Sequence, residues 1–137
     1  MKYLGIDFGT KRVGLAVAPD GGTMAFPLCV ILNTHSLIED IVAICQKEHI
    51  DAIVIGESLN FQNLPNPIMK KIGVFMGQLK TTTSLPIFLM NEVLSSREAM
   101  HLQGDNPQND ASAAAIILQS YLDKHFPKLQ EEFSDDE

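Results

Sequence analysis

Apolar residues in the first quarter of the chain fall in three short runs separated by glycine-containing turns. The runs at residues 2–8 and 12–18 predict two strands of a hairpin. A third strand at residues 24–32 follows a Gly-Gly turn and should pair antiparallel to the second. Pro27 lies inside this third run and predicts an edge position or a bulge, because proline cannot donate a hydrogen bond to a neighbouring strand.

After these strands the hydrophobic pattern alternates between helical and strand-like segments. A helix should follow Ser36 and end near His49, since Ser36 and Glu39 have the spacing of a capping box. The unbroken apolar run at residues 51–56 is typical of a parallel strand covered on both faces. The later predicted elements are a helix at 67–80, a buried strand at 86–90, a short helix from Ser95 to about Leu102, and an apolar helix that starts at Asp110 and continues over 111–125.

This order of elements predicts an α/β fold. A three-stranded antiparallel meander followed by strand-helix units gives a mixed five-stranded sheet with helices on both faces. The length of 137 residues fits one domain with a proper core, which we expect at residues 1–127. Residues 128–137 are predicted to be an acidic, disordered tail, because they carry five of the 17 acidic residues.

The net charge of −7 argues against a general nucleic-acid binder with a broad basic face. Without the five acids of the tail, however, 12 acidic residues stand against 10 basic ones. Apart from the acids of the tail, the chain is therefore nearly neutral, and a local basic patch remains compatible with the composition.

Other bulk features point to a cytoplasmic protein that does not enter a membrane. No apolar run approaches the roughly 18 residues that a membrane-spanning helix needs. The N-terminus leads straight into a strand, unlike a signal peptide. Cys29 and Cys45 lack the spacing of a metal or redox pair and lie in apolar surroundings, so we expect free thiols in a reducing compartment.

Asp7 is the most informative single residue, because it places a carboxylate inside an apolar strand. Burying a carboxylate is costly unless a metal ion, a hydrogen-bond cluster or a ligand compensates. The simpler alternative is an aspartate that forms or caps the following turn. Lys11 and Arg12 follow at once and suit contact with a nearby phosphate.

Two further acids could join Asp7 at one edge of the sheet. Glu92 follows the last predicted strand, Asp110 begins the final helix, and ligands of open α/β sheets gather where the parallel strands end. Converging carboxylates favour Mg²⁺ or Mn²⁺, and two such ions about 3.5–4 Å apart promote displacement at phosphorus. Taken singly, Glu92 could be an exposed residue and Asp110 an N-cap.

Four segments together resemble the YqgF family. They are LGIDFGTKRVGLAV near the start, GESLN after the 51–56 strand, NEVLSSREA, and DASAAAIILQSYL, and the resemblance covers residues 2–125. It implies an RNase H-like fold and a nuclease that matures the 5′ end of 16S ribosomal RNA or resolves Holliday junctions. It also implies an acidic triad at Asp7, Glu92 and Asp110 that binds metal and catalyses cleavage.

The chain departs from the family pattern where substrate would be held. The usual Asp-Glu-Arg-Leu is Asn91-Glu92-Val93-Leu94 here, and the loop GDNPQN before Asp110 lacks the usual lysines. Valine cannot replace an arginine that contacts phosphate. Asn60 is kept in the GESLN segment, although the glycine that usually follows nearby is not. Reduced or narrowed activity is therefore one expectation.

Three functions remain open from the sequence. The first is a metal-dependent phosphodiesterase acting on structured RNA or branched DNA, with Lys11, Arg12 and Asn60 as substrate-binding residues. The second is an ATP-binding protein of the actin, hexokinase and Hsp70 class, whose first phosphate loop also reads Asp-x-Gly-Thr. The third is a non-catalytic nucleic-acid-binding or ribosome-assembly module. Junction resolution would need a homodimer, whereas a monomer would favour RNA processing.

Overall fold

The computed structural model describes residues 1–9, 11–19, 24–56, 67–90 and 107–125, with the backbone alone at 67–69 and 107–110. Strands and helices in these ranges follow the predicted order. They are β1 (Tyr3–Phe8), β2 (Arg12–Ala18), β3 (Phe26–Leu32), α1 (Leu37–Glu48), β4 (Ala52–Gly56), α2 (Pro67–Thr82), β5 (Ile87–Met90) and α3 (Pro107–His125).

The strands form one mixed sheet in the order β3-β2-β1-β4-β5. β2 runs antiparallel to both β1 and β3, while β4 runs parallel to both β1 and β5. The predicted five-stranded α/β architecture is confirmed, and β1 is its central strand. Because β1, β4 and β5 are parallel, they end at the same edge of the sheet, which we call the carboxyl edge.

Pro27 satisfies both alternatives that its position predicted. It lies in β3, the first strand in the sheet order, where a missing N–H leaves no interior hydrogen bond unmade. Opposite it the register shifts, because Leu15 pairs with Cys29 while the next residue, Ala16, pairs with Pro27. Leu28 is therefore the extra residue of a β-bulge.

Helices cover the sheet on both faces, as predicted, and each face has its own apolar core. Leu4, Ile6 and Phe8 of β1 pack with residues of α1 and α2, whereas Tyr3 packs with residues of α3. This division follows from the alternation of side chains along a strand. All five residues of β4 are buried, which confirms that this strand is covered on both faces.

Helix α3 lies unusually close to the two central strands. A Cβ atom built at Gly5 of β1 would lie 2.8 Å from Leu118 Cβ and 3.1 Å from the Ala114 carbonyl oxygen. A Cβ atom at Gly56 of β4 would collide with the side chain of Ile117. Glycine at these two positions therefore allows the helix to pack directly against the strand backbones.

The start of α1 directly after Ser36 is confirmed, but its predicted capping box is not formed, and the predicted start of the final helix is wrong. Ser36 is the N-cap of α1, but its side chain makes no capping hydrogen bond. Its Oγ lies 2.9 Å from Thr34 Oγ1 and 3.4 Å from Asp40 Oδ2, so these neighbours occupy the hydroxyl. The final helix begins at Pro107 rather than Asp110, because proline fits the first helical position, where its missing N–H costs nothing.

The prediction of a buried strand at 86–90 is also wrong in part. β5 covers Ile87–Met90, and Phe88 and Leu89 are 38% and 45% exposed. β5 is the last strand in the sheet order, so it has a strand neighbour on one side within the described chain. The short helix predicted from Ser95 to Leu102 and the acidic tail lie outside the described residues.

Both cysteines are free, as predicted, with Cys45 buried and Cys29 half-buried. Burial raises the pKa of the Cys45 thiol to about 11. Burial also raises the pKa of Cys29, with a smaller contribution from the Glu48 carboxylate that Lys47 partly offsets. Across the described ranges, the helices are too short or too polar to cross a membrane.

Glycine substitutions should have opposite effects in α2 and β1. A Cβ at Gly77 meets no atom within 4 Å, so Gly77→Ala should stabilise the protein by about 0.5–1 kcal/mol through the better helix propensity of alanine. Gly5→Ala should destabilise it by about 1–3 kcal/mol, because α3 must move away. Urea unfolding measures both, and a neutral Gly5→Ala would contradict the close packing of α3.

Cys45 should be almost inert towards alkylation while the protein is folded. Its raised pKa leaves the neutral thiol dominant, and only the thiolate reacts. At pH 8 we expect its reaction with iodoacetamide to be roughly 100-fold slower in native protein than in urea. Mass spectrometry of the labelled peptides measures this ratio. Equal rates in the two conditions would show that Cys45 is not protected.

Candidate active site at the carboxyl edge

Asp7 occupies the last position but one of the central strand. It is half-buried and lies on the same face of β1 as Tyr3 and Gly5, the face that α3 covers. Its partners in the sheet are Gly14 of β2 and Gly56 of β4. No side chain therefore stands beside the carboxylate on either neighbouring strand at this level. Asp7 is a strand residue, as predicted, and not part of the turn that follows.

Asp110 lies in the first turn of α3, at the level of Asp7 along the sheet. The ring centroids of Tyr3 and Tyr121 are 5.7 Å apart, and Ala114 lies against Gly5, so α3 runs antiparallel to β1. Asp110 precedes Ala114 by one turn, about 6 Å along the helix axis. Asp7 lies about 6.6 Å beyond Gly5 along the strand. The backbone therefore brings these two acidic positions to one place on the carboxyl edge.

The other two predicted site residues of the carboxyl edge, Glu92 and Asn60, lie outside the described residues. The strands that precede them in the sequence, β4 and β5, are nevertheless in register with Asp7. Asp7 pairs with Gly56, which in turn pairs with Met90, the last residue of β5. Asn60 and Glu92 follow these two strand ends by four and two residues in the sequence.

Lys11 lies in the turn between β1 and β2, and Arg12 is the first residue of β2. Lys11 is exposed and Arg12 is half-buried. The turn is tight enough that a Cβ at Gly9 would collide with the carbonyl oxygen of Arg12. Glycine is thus required there by close contact with backbone, and the turn holds Lys11 immediately beyond the carboxyl edge.

Asn33 anchors this turn, and sequence reasoning missed it. Its Nδ2 donates a hydrogen bond of 2.7 Å to the Gly9 carbonyl, and its backbone N–H donates one of 2.9 Å to the Lys11 carbonyl. The only available signal was a polar residue directly after an apolar strand. Since both acceptors are backbone atoms far away in sequence, no pattern of side chains could have revealed the contact.

No three His, Cys, Asp or Glu side chains lie close enough to hold a metal ion among those that the structure describes. Glu92 and the Asp110 side chain fall outside that set. The donor type at Asp7 nevertheless suits a hard divalent cation, which prefers carboxylate oxygens. The absence of side chains at Gly14 and Gly56 also leaves the neighbouring strand positions uncrowded.

Comparison with known proteins identifies the family. The RuvX family model, described as Holliday junction resolvase, matches residues 1–124. A relative from Nitratidesulfovibrio vulgaris (strain Miyazaki F), named "Putative pre-16S rRNA nuclease", is 38% identical over 89% of this chain and 93% of its own length. A relative of the same name from Geobacillus thermodenitrificans is 35% identical over 90% of this chain and 98% of its own.

Solved structures show the same fold at much lower sequence identity. Thermus thermophilus RuvC superposes with a TM-score of 0.62 at 16% identity, covering 93% of this chain and 97% of its own. The fowlpox virus resolvase in complex with Holliday junction DNA gives a TM-score of 0.59 at 10% identity, covering 92% and 99%. With the family match over residues 1–124, these results show that the chain belongs to the RuvX (YqgF) family, with an RNase H-like fold.

Proposed function

We propose that this protein is a metal-dependent nuclease that hydrolyses phosphodiester bonds at the carboxyl edge of its sheet. The carrying observation is the placement of Asp7 on the central strand, between two glycines and level with the first turn of α3. We further propose the 5′ end of precursor 16S rRNA as the substrate, in keeping with the names of its relatives. A four-way DNA junction is the other substrate class, in keeping with the family description.

The proposed metal is Mg²⁺ or Mn²⁺, held as one or two ions by Asp7, Glu92 and Asp110. Hard cations of this kind bind carboxylate oxygens, and Asp7 offers one without a neighbouring side chain on β2 or β4. When bound, such ions lower the pKa of a water molecule and neutralise charge that develops at phosphorus.

The residues of the chain itself have distinct proposed roles. Asp7 and Asp110 hold the cation, while Glu92 shares this task or orients the attacking water. Lys11 and Arg12 contact the phosphates of the substrate, because both lie at or next to the turn beyond Asp7. Asn60 contacts the same nucleic-acid strand of the substrate. Asn33 acts through the turn, since its two hydrogen bonds fix the backbone that carries Lys11.

The departures at Val93 and in the lysine-free loop bear on how strongly the substrate is held. Fewer phosphate contacts predict weaker binding and a lower rate at limiting substrate. A monomer would fit processing of one RNA strand, whereas resolving a junction needs two symmetric cuts and thus a homodimer.

A cytoplasmic location remains the prediction drawn from the free thiols.

Asp7→Asn should abolish cleavage while leaving the fold intact. The amide keeps the shape but loses the charge that binds a cation, so we expect the rate to fall at least about 1,000-fold, or roughly 4 kcal/mol of transition-state stabilisation. End-labelled single-stranded RNA, a precursor rRNA fragment and a four-way junction are each incubated with Mg²⁺, Mn²⁺ or EDTA. Asp123→Asn, an exposed change near the end of α3, is the matched control.

Cleavage by Asp7→Asn at the wild-type rate, or cleavage by the wild type in EDTA, would overturn this proposal. A folded wild type that binds nucleic acid but cuts none of the three substrates with any metal would instead favour the non-catalytic binding module.

Asn33→Ala should weaken substrate binding more than the chemical step. Removing the side-chain bond to Gly9 frees the turn, and one such bond contributes about 1 kcal/mol to stability. We expect KM to rise about three- to tenfold, with kcat changed less than twofold, because the Asp7 backbone stays paired on both sides. Steady-state kinetics measure both constants. Asn33→Asp, which cannot donate the bond, should behave alike; an unchanged KM in both variants would refute the anchoring role.

A further inference from the structure

A groove of about 520 Å³ opens between the start of α1 and the first three turns of α2, on the sheet face opposite to α3. Its volume lies within the range of about 300–1,000 Å³ typical of pockets for compact ligands. Its polar lining consists of Asn33, Thr34, His35, Lys70, Lys71 and Gln78. Apart from Asn33, these polar residues have no role in the activity proposed so far.

The charge of the groove is opposite to that of the whole chain. Both lysines are exposed, and none of the described lining residues carries a carboxylate. The chain as a whole has a net charge of −7. An anionic ligand would therefore be attracted to this groove although the protein as a whole is acidic.

Apart from Lys11 and Arg12, which also lie at the carboxyl edge, the other basic residues of the described chain lie at the opposite edge of the sheet. Lys2 forms an ion pair with Glu48 at 3.5 Å, at the opposite edge of the sheet. Lys80 and Lys124 also lie at that edge, in the last turns of α2 and α3. By contrast, Lys70 and Lys71 lie near the start of α2, at the carboxyl edge.

The groove and the candidate active site lie next to each other at the carboxyl edge, on opposite faces of β1. Phe8 lines it and directly follows Asp7, so the two Cα atoms are about 3.8 Å apart. Asn33 also lines the groove and holds the turn that carries Lys11. Asp7 and Phe8 point to opposite faces of β1. A nucleic-acid strand bound at Asp7 would therefore reach the groove by passing over this turn.

We propose that the groove binds the phosphodiester backbone of the substrate strand next to the bond that is cut, an inference that rests on the proposed nuclease function. Lys70 and Lys71 contact the phosphates, and the polar groups of Thr34 and Gln78 are placed to bond phosphate or sugar oxygens. Val74, which is 61% exposed, offers an apolar surface for a sugar or base. The proposed occupant is a single strand, because a groove of about 520 Å³ matches a compact ligand of about one nucleotide.

The test measures the salt dependence of nucleic-acid binding in EDTA, where no cleavage occurs. Fluorescence anisotropy follows a labelled precursor rRNA fragment, and a single-stranded DNA of the same sequence, with wild type and with the double variant Lys70→Gln/Lys71→Gln. Each lost phosphate contact lowers the slope of log K against log salt by about 0.7 for single strands. We therefore expect the slope to fall by about 1.4 and Kd to rise about tenfold.

Lys80→Gln is the matched control, because it removes an exposed lysine from the same helix at the far end. Its slope and Kd should equal those of the wild type. All three lysines are exposed, and glutamine has a similar helix propensity, so thermal unfolding should stay unchanged.

The outcomes separate the two proposals. If the wild type binds and cuts but the double variant keeps its slope and Kd, the groove inference is wrong and the nuclease function stands. The groove inference is equally wrong if Lys80→Gln weakens binding as much as the double variant does. If the wild type neither binds nor cuts, the nuclease function fails and the groove inference fails with it.

Discussion

The direct packing of α3 against the backbones of β1 and β4 is the constraint on which the candidate site depends. Gly5 and Gly56 leave no side chain between helix and sheet, and Ala114, Ile117 and Leu118 fill the space instead. This contact fixes the position of α3 along β1 and its antiparallel direction. It brings the first turn of α3 over the end of β1, so the spacing of two acidic positions is set by an apolar contact one helical turn away.

The order of the elements along the chain and most of their boundaries could be predicted from the sequence, because each element reflects a local hydrophobic pattern that the core then confirms. The bounds of β2 were predicted to the residue, and the bulge at Pro27 follows from one missing N–H. Ser36 was misjudged because its hydroxyl has competing partners in Thr34 and Asp40. The exposure of β5 depends on its place in the sheet, which no local pattern contains.

The candidate site was predictable only where its chemistry lies in the side chain itself. Asp7 is conspicuous as a carboxylate within an apolar run. Asn33 is not, because its partners are the carbonyls of Gly9 and Lys11. Likewise, the net charge of the chain does not show where its basic side chains cluster. Both ends of α2 carry lysine, but only its N-terminal end lies at the carboxyl edge. The family match, in turn, decides against the ATP-binding alternative that the Asp-x-Gly-Thr turn left open.

The anchoring of the β1–β2 turn through carbonyl oxygens has an evolutionary consequence. Every amino acid supplies the same carbonyl, so the bond from the Asn33 backbone to residue 11 survives any change of the side chain there. Gly9 is constrained by contact with Arg12, but residue 11 is exposed. Relatives can therefore exchange the residue at position 11, which we propose to contact the substrate, without rebuilding the hairpin that carries it.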